Sequence, residues 1–203
     1  MSGCGKSTIA KLISGLYEPW SGEILYDGKK RLDIPKEVFC GSLMVVDQDS
    51  CLFADSIYDN IKLWDDTIPN AAAIAAARDA QIHDDIMARP RGYDYRMREG
   101  AKDFSGGQRQ CILIARAIAP KPRILIFDEA TSALDNVTQE KVSEALDKMD
   151  CTRIVVAHRL STIKNCQRII VLDKGKIIED GSYDELLKQN GFFADLVARQ
   201  RVV

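Results

Sequence analysis

The stretch Ser2-Gly3-Cys4-Gly5-Lys6-Ser7-Thr8 stands at the start of the chain, and the apolar spacing of residues 6–16 predicts that a helix follows it. The stretch matches the end of the phosphate-binding pattern G-x-x-x-x-G-K-[ST]. Backbone N–H groups in a glycine-rich turn at a helix start can surround a polyanion at close range. Lys6 would then reach the β- and γ-phosphates of a nucleotide, and the Ser7 hydroxyl would bind Mg²⁺. The alternative is a plain glycine-rich turn in which Lys6 is solvated.

The beginning of this pattern is missing from the sequence. Its first glycine would precede Met1, and the strand that normally leads into such a loop is absent as well. That strand is central to the parallel sheet of a phosphate-loop fold, so its loss would expose apolar surface and a sheet edge. We therefore interpret Met1 as a fragment boundary or a misassigned start, which leaves the folding of the chain alone an open question.

Two acids end an apolar run in the last third of the chain, Arg123-Ile-Leu-Ile-Phe-Asp128-Glu129. Such a strand belongs inside a parallel sheet, and open α/β sheets bind ligands at the carboxyl ends of their strands. Asp128 would hold Mg²⁺ directly or through water, and Glu129 would polarise the attacking water as general base. The alternative is that the two acids have no catalytic role and only mark the point where the strand leaves the protein interior for solvent.

Two further predicted strands end in polar side chains. Val155-Val156-Ala157 is followed by His158, which could contact the γ-phosphate and hold the general base and the water in line. The strand 43–46 precedes Gln48, whose amide could bind Mg²⁺ or position water, although this signal is weak alone. His83 lies in a helical region, where we expect a partly exposed side chain with no part in the site.

Strand and helix patterns alternate in the first and last thirds of the chain. Uninterrupted apolar strands between helices indicate a parallel sheet covered on both faces, the α/β class. The middle of the chain, from about 56 to 119, shows no convincing strand and is predicted to be a helical insert with helices at 71–80, 81–88 and 111–118. Elsewhere we predict strands at 23–26, 43–46, 123–127, 153–157, 169–172 and 176–179, and helices at 6–16, 138–149, 161–164, 183–189 and 192–199.

Composition and charge are those of an ordinary globular protein. The 203 residues are 46% hydrophobic and 29% charged, and the formal net charge of −2 gives no reason to expect nucleic acid or anionic lipid as a partner. The longest apolar runs fall far short of the ~20 residues of a membrane span. The six cysteines show no C-x-x-C spacing, so we expect reduced thiols and no disulfide or zinc framework.

The segment Phe104-Ser105-Gly106-Gly107-Gln108 places two glycines after a serine and before a helix, which makes a second anion-binding helix start. Because the chain already has one phosphate loop, a second such start points to a composite site. The segment resembles the signature sequence of ABC ATPases, usually Leu-Ser-Gly-Gly-Gln, with Phe104 in place of leucine. Further elements agree with that family in their order along the chain: the phosphate loop, Gln48, Asp128-Glu129, Ser132-Ala-Leu-Asp135 and His158.

The resemblance implies a phosphate-loop NTPase (RecA-like) core with a parallel sheet, an inserted α-helical subdomain, and an amino-terminal antiparallel β-subdomain that is largely missing here. It divides the chain into a first core part (1–50), a helical subdomain with the signature (51–119) and a second core part (120–203). The aromatic residue that stacks on adenine precedes the phosphate loop in the family, so it is absent too. This departure puts the nucleotide affinity of the polypeptide in question.

The resemblance also implies ATP and Mg²⁺ as ligands, Glu129 and His158 as catalytic residues, and a partner. Residues expected to bind ATP are Ser2, Gly3, Cys4, Gly5, Lys6, Ser7, Thr8 and Gln48, and those expected to bind the metal are Ser7, Gln48 and Asp128. Two ABC ATPase domains, expected to be identical, pack head to tail with ATP between them. The signature residues Phe104, Ser105, Gly106, Gly107 and Gln108 then face the phosphate loop of the other copy. Asp135 lies near the dimer seam, and closure on ATP drives the attached transmembrane domains.

Several details resemble the exporter branch of this family. Asp47-Gln48-Asp49 and Asp59-Asn60-Ile61 resemble its Gln-loop region, and Glu99 matches the glutamate near the transmembrane coupling helices. Segments such as Leu63-Trp64-Asp65 and Gly92-Tyr93-Asp94-Tyr95 are similar to transporters that export bacteriocin-like peptides. The expected location is the cytoplasmic face of a bacterial cell membrane, as a domain without a span of its own. Two alternatives stay open: a non-transport ABC ATPase, and a truncated remnant that binds nucleotide or a partner without turnover.

Overall fold

The computed structural model describes residues 4–47, 50–128, 133–157 and 160–201. The chain forms two compact units, one comprising Glu23–Ile154 and the other comprising Met1–Gly22 and Val155–Val203. Strands and helices are mixed in both, in agreement with the predicted α/β class. The three-part division at residues 50 and 119 follows a different criterion and stays a prediction.

Strands and helices follow one another along the whole described chain. The strands are β1 (Leu25–Tyr26), β2 (Lys29–Lys30), β3 (Leu43–Asp47), β4 (Ile124–Asp128), β5 (Thr152–Val156), β6 (Ile169–Asp173) and β7 (Lys176–Gly181). The helices are α1 (Lys6–Ile13), α2 (Lys36–Ser42), α3 (Ile57–Lys62), α4 (Asn70–Asp79), α5 (His83–Met87), α6 (Gly106–Ile118), α7 (Asn136–Asp147), α8 (Leu160–Ile163), α9 (Tyr183–Lys188) and α10 (Phe192–Arg201). Short 3₁₀ helices cover Arg31–Asp33, Gly92–Asp94 and Glu99–Ala101.

A parallel sheet carries the acidic strand end predicted from the sequence. Its strands lie in the order β3-β4-β5, and β3 and β4 run parallel. Leu125, Ile126 and Phe127 of β4 are all buried, as expected for a strand covered on both faces. The register places Asp47 opposite Asp128, so two carboxylates meet at the carboxyl edge of this sheet.

Helix α6 is the most deeply buried helix of the unit Glu23–Ile154 among the described residues. Eight of its 13 residues are buried, including Ile112 and Ile114, which have no exposed surface. It packs against α3, α4 and β3. Each fully buried isoleucine stabilises the fold by roughly 1.5–3 kcal/mol, so the packing of α6 is a main source of stability for this unit.

The other unit is built around the hairpin of β6 and β7. The hairpin turns through Lys174 and Gly175, both at positive φ (48° and 76°). Its core consists of Ile169, Val171, Leu186, Phe193 and Val197. The Glu179 carboxylate accepts hydrogen bonds from the N–H groups of Phe192 (2.6 Å) and Phe193 (2.9 Å), and thereby caps the start of α10.

Most predicted elements are confirmed within a few residues, but α1 differs from its prediction. The helix predicted over 6–16 ends at Ile13, because Gly15 adopts φ 73° and stops it. The apolar face proposed for it is partly exposed, with Ile9 38% and Leu16 67% accessible. Helices α2 and α3 are missing from the predictions, although Pro35 and Ser56 signal their starts.

None of the helices in the described part of the chain combines the length and the apolar character needed to cross a lipid bilayer. The predicted helical insert is mainly helical over residues 57–118, and Arg96 forms an isolated β-bridge with Ser56. His83 begins α5 and is partly buried, and its Nδ1 lies 2.8 Å from the Tyr93 hydroxyl.

A buried polar network ties α3 to the carboxyl end of α6. Asn60 has no exposed surface, and its side-chain amide donates to the carbonyls of Phe53 (3.0 Å) and Ser56 (2.9 Å). Its Oδ1 accepts from the Phe53 N–H (2.8 Å) and from Arg116 Nη2 (3.0 Å). Arg116 also donates to the carbonyls of Asn60 (2.7 Å) and Cys51 (2.8 Å). The network thereby pairs the fully buried Asn60 with backbone groups of the loop before α3.

We expect Asn60→Ala to lower the free energy of unfolding by about 2–4 kcal/mol, because four part-buried hydrogen bonds of the Asn60 side chain are lost at once. Asn70→Ala is the matched control, since Asn70 is exposed and its side chain accepts a surface hydrogen bond from Lys62. It should change stability by less than about 0.5 kcal/mol. Urea unfolding of both variants measures the difference, and equal midpoints would contradict this account of the network.

Candidate functional site

The turn before α1 places a glycine in a left-handed conformation at the start of the helix. Gly5 is the N-cap of α1 and has φ 102° and ψ 4°, a left-handed conformation that a residue with a Cβ atom rarely adopts. It provides no side chain to accept hydrogen bonds from the first turn. The first-turn N–H groups are those that an anion at a helix N-terminus would meet. Ser7 and Thr8 follow on that turn, and both are exposed.

The turn of the β6–β7 hairpin contacts the loop that precedes α1. Cys4 is buried, and its carbonyl accepts a hydrogen bond from the Gly175 N–H (3.2 Å). A Cβ atom built on Gly5 would lie 3.9 Å from the Gly175 Cα, so the two backbones approach closely. Lys6 Nζ donates to Cys4 Sγ at 3.3 Å and is therefore folded back over the loop. Gly175 is a supporting residue that the sequence indicated only as a hairpin turn.

Asp128 at the end of β4 is the described acid best suited to a cation. The residue is 8% exposed, and its Oδ1 is buried without a hydrogen-bond partner among the described residues. A buried carboxylate oxygen without a partner is costly unless a donor or a cation completes its environment. A buried carboxylate oxygen is a suitable ligand for Mg²⁺, which prefers carboxylate and hydroxyl oxygens.

The start of α6 is a complete capping box. The Ser105 Oγ accepts from the Gln108 N–H (3.1 Å), and the Gln108 Oε1 accepts from the Ser105 N–H (3.0 Å). The Arg109 N–H bonds the Ser105 carbonyl at 2.9 Å. The first-turn N–H groups of Gly106 and Gly107 lie outside both the box and this bond. They face the end of the helix, where an anion can bind them.

Gly107 is also a packing position. A Cβ atom there would lie 3.2 Å from the Ala133 carbonyl oxygen, tighter than nearly all real Cβ contacts. The segment it touches leads into Asp135, whose carboxylate caps α7 by accepting from the N–H groups of Val137 and Thr138, both at 3.0 Å. Hydrogen bonds from the Thr138 backbone and side chain lower the pKa of Asp135. The start of the signature helix therefore lies close to Ala133 and Leu134, which lead into the Asp135 cap of the same unit.

The remaining predicted site residues divide between described and undescribed parts of the chain. Phe104 is 3% exposed and packs inside the helical segment. Glu99 begins a 3₁₀ helix and is exposed. Predicted site residues outside the described part are Ser2, Gly3, Gln48, Glu129 and His158.

Comparison with known proteins now decides the family. The model of the family described as ABC transporter matches residues 1–132. The chain belongs to the ABC transporter family. Multidrug resistance protein 1 of Entamoeba histolytica is 44% identical over 98% of the chain, and the ATM1-type heavy metal exporter of Novosphingobium aromaticivorans is 43% identical over 98%. The solved structure of a bacterial Atm1-family ABC exporter with ATP bound superposes with a TM-score of 0.92 at 42% identity over 98% of the chain.

These comparisons confirm the ABC ATPase fold and the exporter branch. ATP-binding domains of this family are ATPases, so the enzyme class predicted from the motifs is confirmed as well. The chain spans 16% of the Entamoeba relative, 33% of the Novosphingobium relative and 35% of the solved exporter chain. The activity, cargo and partners of a whole transporter are therefore matters of proposal for this chain.

We expect Gly107→Ala to be less stable than Gly106→Ala by about 1–2 kcal/mol, because only the first adds a methyl group against the Ala133 carbonyl. At Gly106 the nearest atom to the added carbon is Arg109 Nη2 at 4.0 Å, so that variant should be neutral or slightly stabilised. Urea unfolding of the two purified variants provides the comparison. Equal stabilities would show that Gly107 is not held by this close approach.

Proposed function

We propose that this chain binds and hydrolyses ATP as the nucleotide-binding domain of an exporter, acting with a second copy of itself. The observation that carries the proposal is a pair of helix starts, α1 and α6, in a chain of the ABC transporter family. Each leaves first-turn N–H groups that could bind an anion. The first start lacks a side-chain cap, whereas the second has a complete one. A composite site explains why one domain needs both.

The phosphate loop is proposed to bind the nucleotide through the residues predicted from the sequence: Ser2, Gly3, Cys4, Gly5, Lys6, Ser7, Thr8 and Gln48. The left-handed Gly5 lets the backbone turn so that first-turn N–H groups face the phosphates. Lys6 must then leave Cys4 Sγ and extend toward the β- and γ-phosphates. That exchange replaces a weak contact with sulfur by a charge-assisted one.

Mg²⁺ is proposed to be held by Ser7, Gln48 and Asp128. The orphaned Oδ1 of Asp128 supports its share of this assignment. When bound, the ion would neutralise charge on the β- and γ-phosphates. Glu129 is proposed to accept a proton from the attacking water as general base, and His158 to hold that water and Glu129 in line. Both assignments rest on the strand-end pattern and the family resemblance.

The signature is proposed to act on the nucleotide held by the partner copy. Because the Ser105 Oγ accepts from the Gln108 N–H, its own hydrogen stays available to donate to the γ-phosphate. The N–H groups of Gly106 and Gly107 would add two further donors at the positive end of α6. Phe104 supports the loop from inside, and Gln108 completes the cap. Asp135 is proposed to lie near the dimer seam and to couple the two sites.

The proposed partners are a second ABC ATPase domain and the transmembrane domains of the exporter, with Glu99 at the coupling surface. The exposure of Glu99 is compatible with such a contact. The domain would work at the cytoplasmic face of a cell membrane. A peptide or bacteriocin-like cargo is the narrower part of the proposal and rests only on the sequence around 63–105. The relatives named above are called multidrug resistance and heavy metal exporters, which does not bear on peptide cargo.

We expect Glu129→Gln to reduce ATP turnover by roughly 100-fold or more, because the general base is lost while the side-chain volume is kept. Binding of ATP should persist, since the phosphate loop is unchanged. Glu140→Gln is the matched control, because Glu140 is exposed on α7 and should leave turnover unaltered. Phosphate release and equilibrium binding of a fluorescent ATP analogue separate the two effects. Turnover that survives Glu129→Gln would reject Glu129 as the base, and a chain that binds ATP without turnover would reject the ATPase proposal for it.

A further inference from the structure

Arg89 lies against the residues that precede the signature. It follows α5 and is partly buried, and its guanidinium carbon is 4.4 Å from the centre of the Phe104 ring. Its Nη2 donates to the Asp103 carbonyl at 2.9 Å. The same guanidinium lies 5.8 Å from the centre of the Tyr95 ring. A planar cation stacked on one aromatic ring and bonded to a carbonyl is fixed in orientation, which an ammonium group would not be.

Two arginine side chains, Arg89 and Arg109, therefore bond the backbone before Ser105. Arg109 Nη1 donates to the Phe104 carbonyl at 2.6 Å, so consecutive carbonyls each accept from an arginine. Arg109 belongs to the first turn of α6 and makes a local contact. Arg89 is separated from Phe104 by 15 positions (104 minus 89), so its contacts tie the signature to the end of α5.

Asp103 adds charge to this cluster. Both oxygens of its carboxylate are buried and have no partner of ordinary hydrogen-bond geometry among the described residues. Burial raises the pKa of Asp103, but the Tyr95 hydroxyl, nearby backbone N–H groups and the positive charge of Arg89 outweigh burial and hold the pKa below its usual value. A buried carboxylate that stays ionised favours a cation at the position of Arg89.

We propose that Arg89 is a positioning residue for the signature, which holds Ser105 and the start of α6 in the orientation needed to reach the nucleotide of the partner copy. The inference rests on the proposed function for its catalytic consequence. The contacts of Arg89 with Phe104 and the Asp103 carbonyl lie within this chain and need no partner copy. Arg89 touches neither ATP nor the reacting atoms in this account, and it acts through Phe104 and the Asp103 carbonyl.

The first test measures how firmly the signature backbone is held, by hydrogen–deuterium exchange of its amides in the full chain. Arg89→Leu should speed exchange of the amides of Phe104, Ser105 and Gln108 by about tenfold, because their bonds depend on the fixed loop, while β4 amides stay unchanged. Arg96→Leu is the control, since the Arg96 side chain is 81% exposed and its ion pair with Asp55 is long, at 3.9 Å. Unchanged exchange at the signature, or an equal increase across the whole domain, would overturn the proposal.

The second test measures the consequence for turnover. Arg89→Leu should lower kcat about tenfold and change the KM for ATP by less than about twofold, because the signature acts after ATP has bound to the other copy. A loss confined to KM would contradict a positioning role. If the unmodified chain shows no turnover, the proposed function fails, and the exchange experiment still decides whether Arg89 holds the signature.

A double-mutant cycle tests whether Phe104 carries the effect. In the Phe104→Leu background the stacked ring is already lost. Adding Arg89→Leu should then change the amide exchange rates and kcat less than it does in the native chain. Arg89→Lys keeps the charge without the planar stack and should fall between the native chain and Arg89→Leu. A double variant whose loss equals the product of the two single losses would show independent action and overturn the proposal.

Discussion

The burial of α6 is the constraint on which the unit Glu23–Ile154 depends. With eight of 13 residues buried, the helix cannot rotate or slide without exposing isoleucines that contribute a large share of the core. Both of its ends carry functional or structural chemistry. Ser105 begins it with a capping box, and Arg116 near its other end donates to Asn60 of α3 and to the Cys51 carbonyl in the loop before α3. Fixing α6 therefore fixes the signature and the segment around Asn60 together.

The two helix starts solve the same physical problem in opposite ways. Every helix begins with N–H groups that have no partner inside the helix. At α1 the N-cap is a glycine in a left-handed conformation, so no side chain occupies the space where phosphates would lie. At α6 the cap is complete and rigid, and only the glycine N–H groups lie beyond it. In the proposed composite site, the uncapped start of α1 would leave room for the phosphates of the nucleotide bound by its own copy, and the capped start of α6 would contact the nucleotide of the other copy.

The sequence was a good guide wherever a local rule governs the structure. The apolar run of β4 correctly predicted a buried strand, because such a run is stable only when both of its faces are covered by the rest of the protein. Helix α6 begins at Gly106 and not at the predicted 111, because the Ser105 cap outweighs the low helix propensity of two glycines. The unsatisfied Oδ1 of Asp128, the contact between Gly175 and Cys4, and the stack of Arg89 on Phe104 depend on the placement of distant segments. No local pattern contains that information.

The central claim is that the phosphate loop of one copy and the signature of another form one catalytic site, and mixing two inactive variants tests it most directly. Lys6→Ala removes the phosphate-loop cation. Gly106→Asp places a carboxylate where a phosphate should bind, at a position with room for a side chain. Each variant alone should be inactive. An equimolar mixture should recover about a quarter of the native ATPase rate, because half of the dimers are mixed and each has one intact site. A mixture no more active than its components would contradict the account.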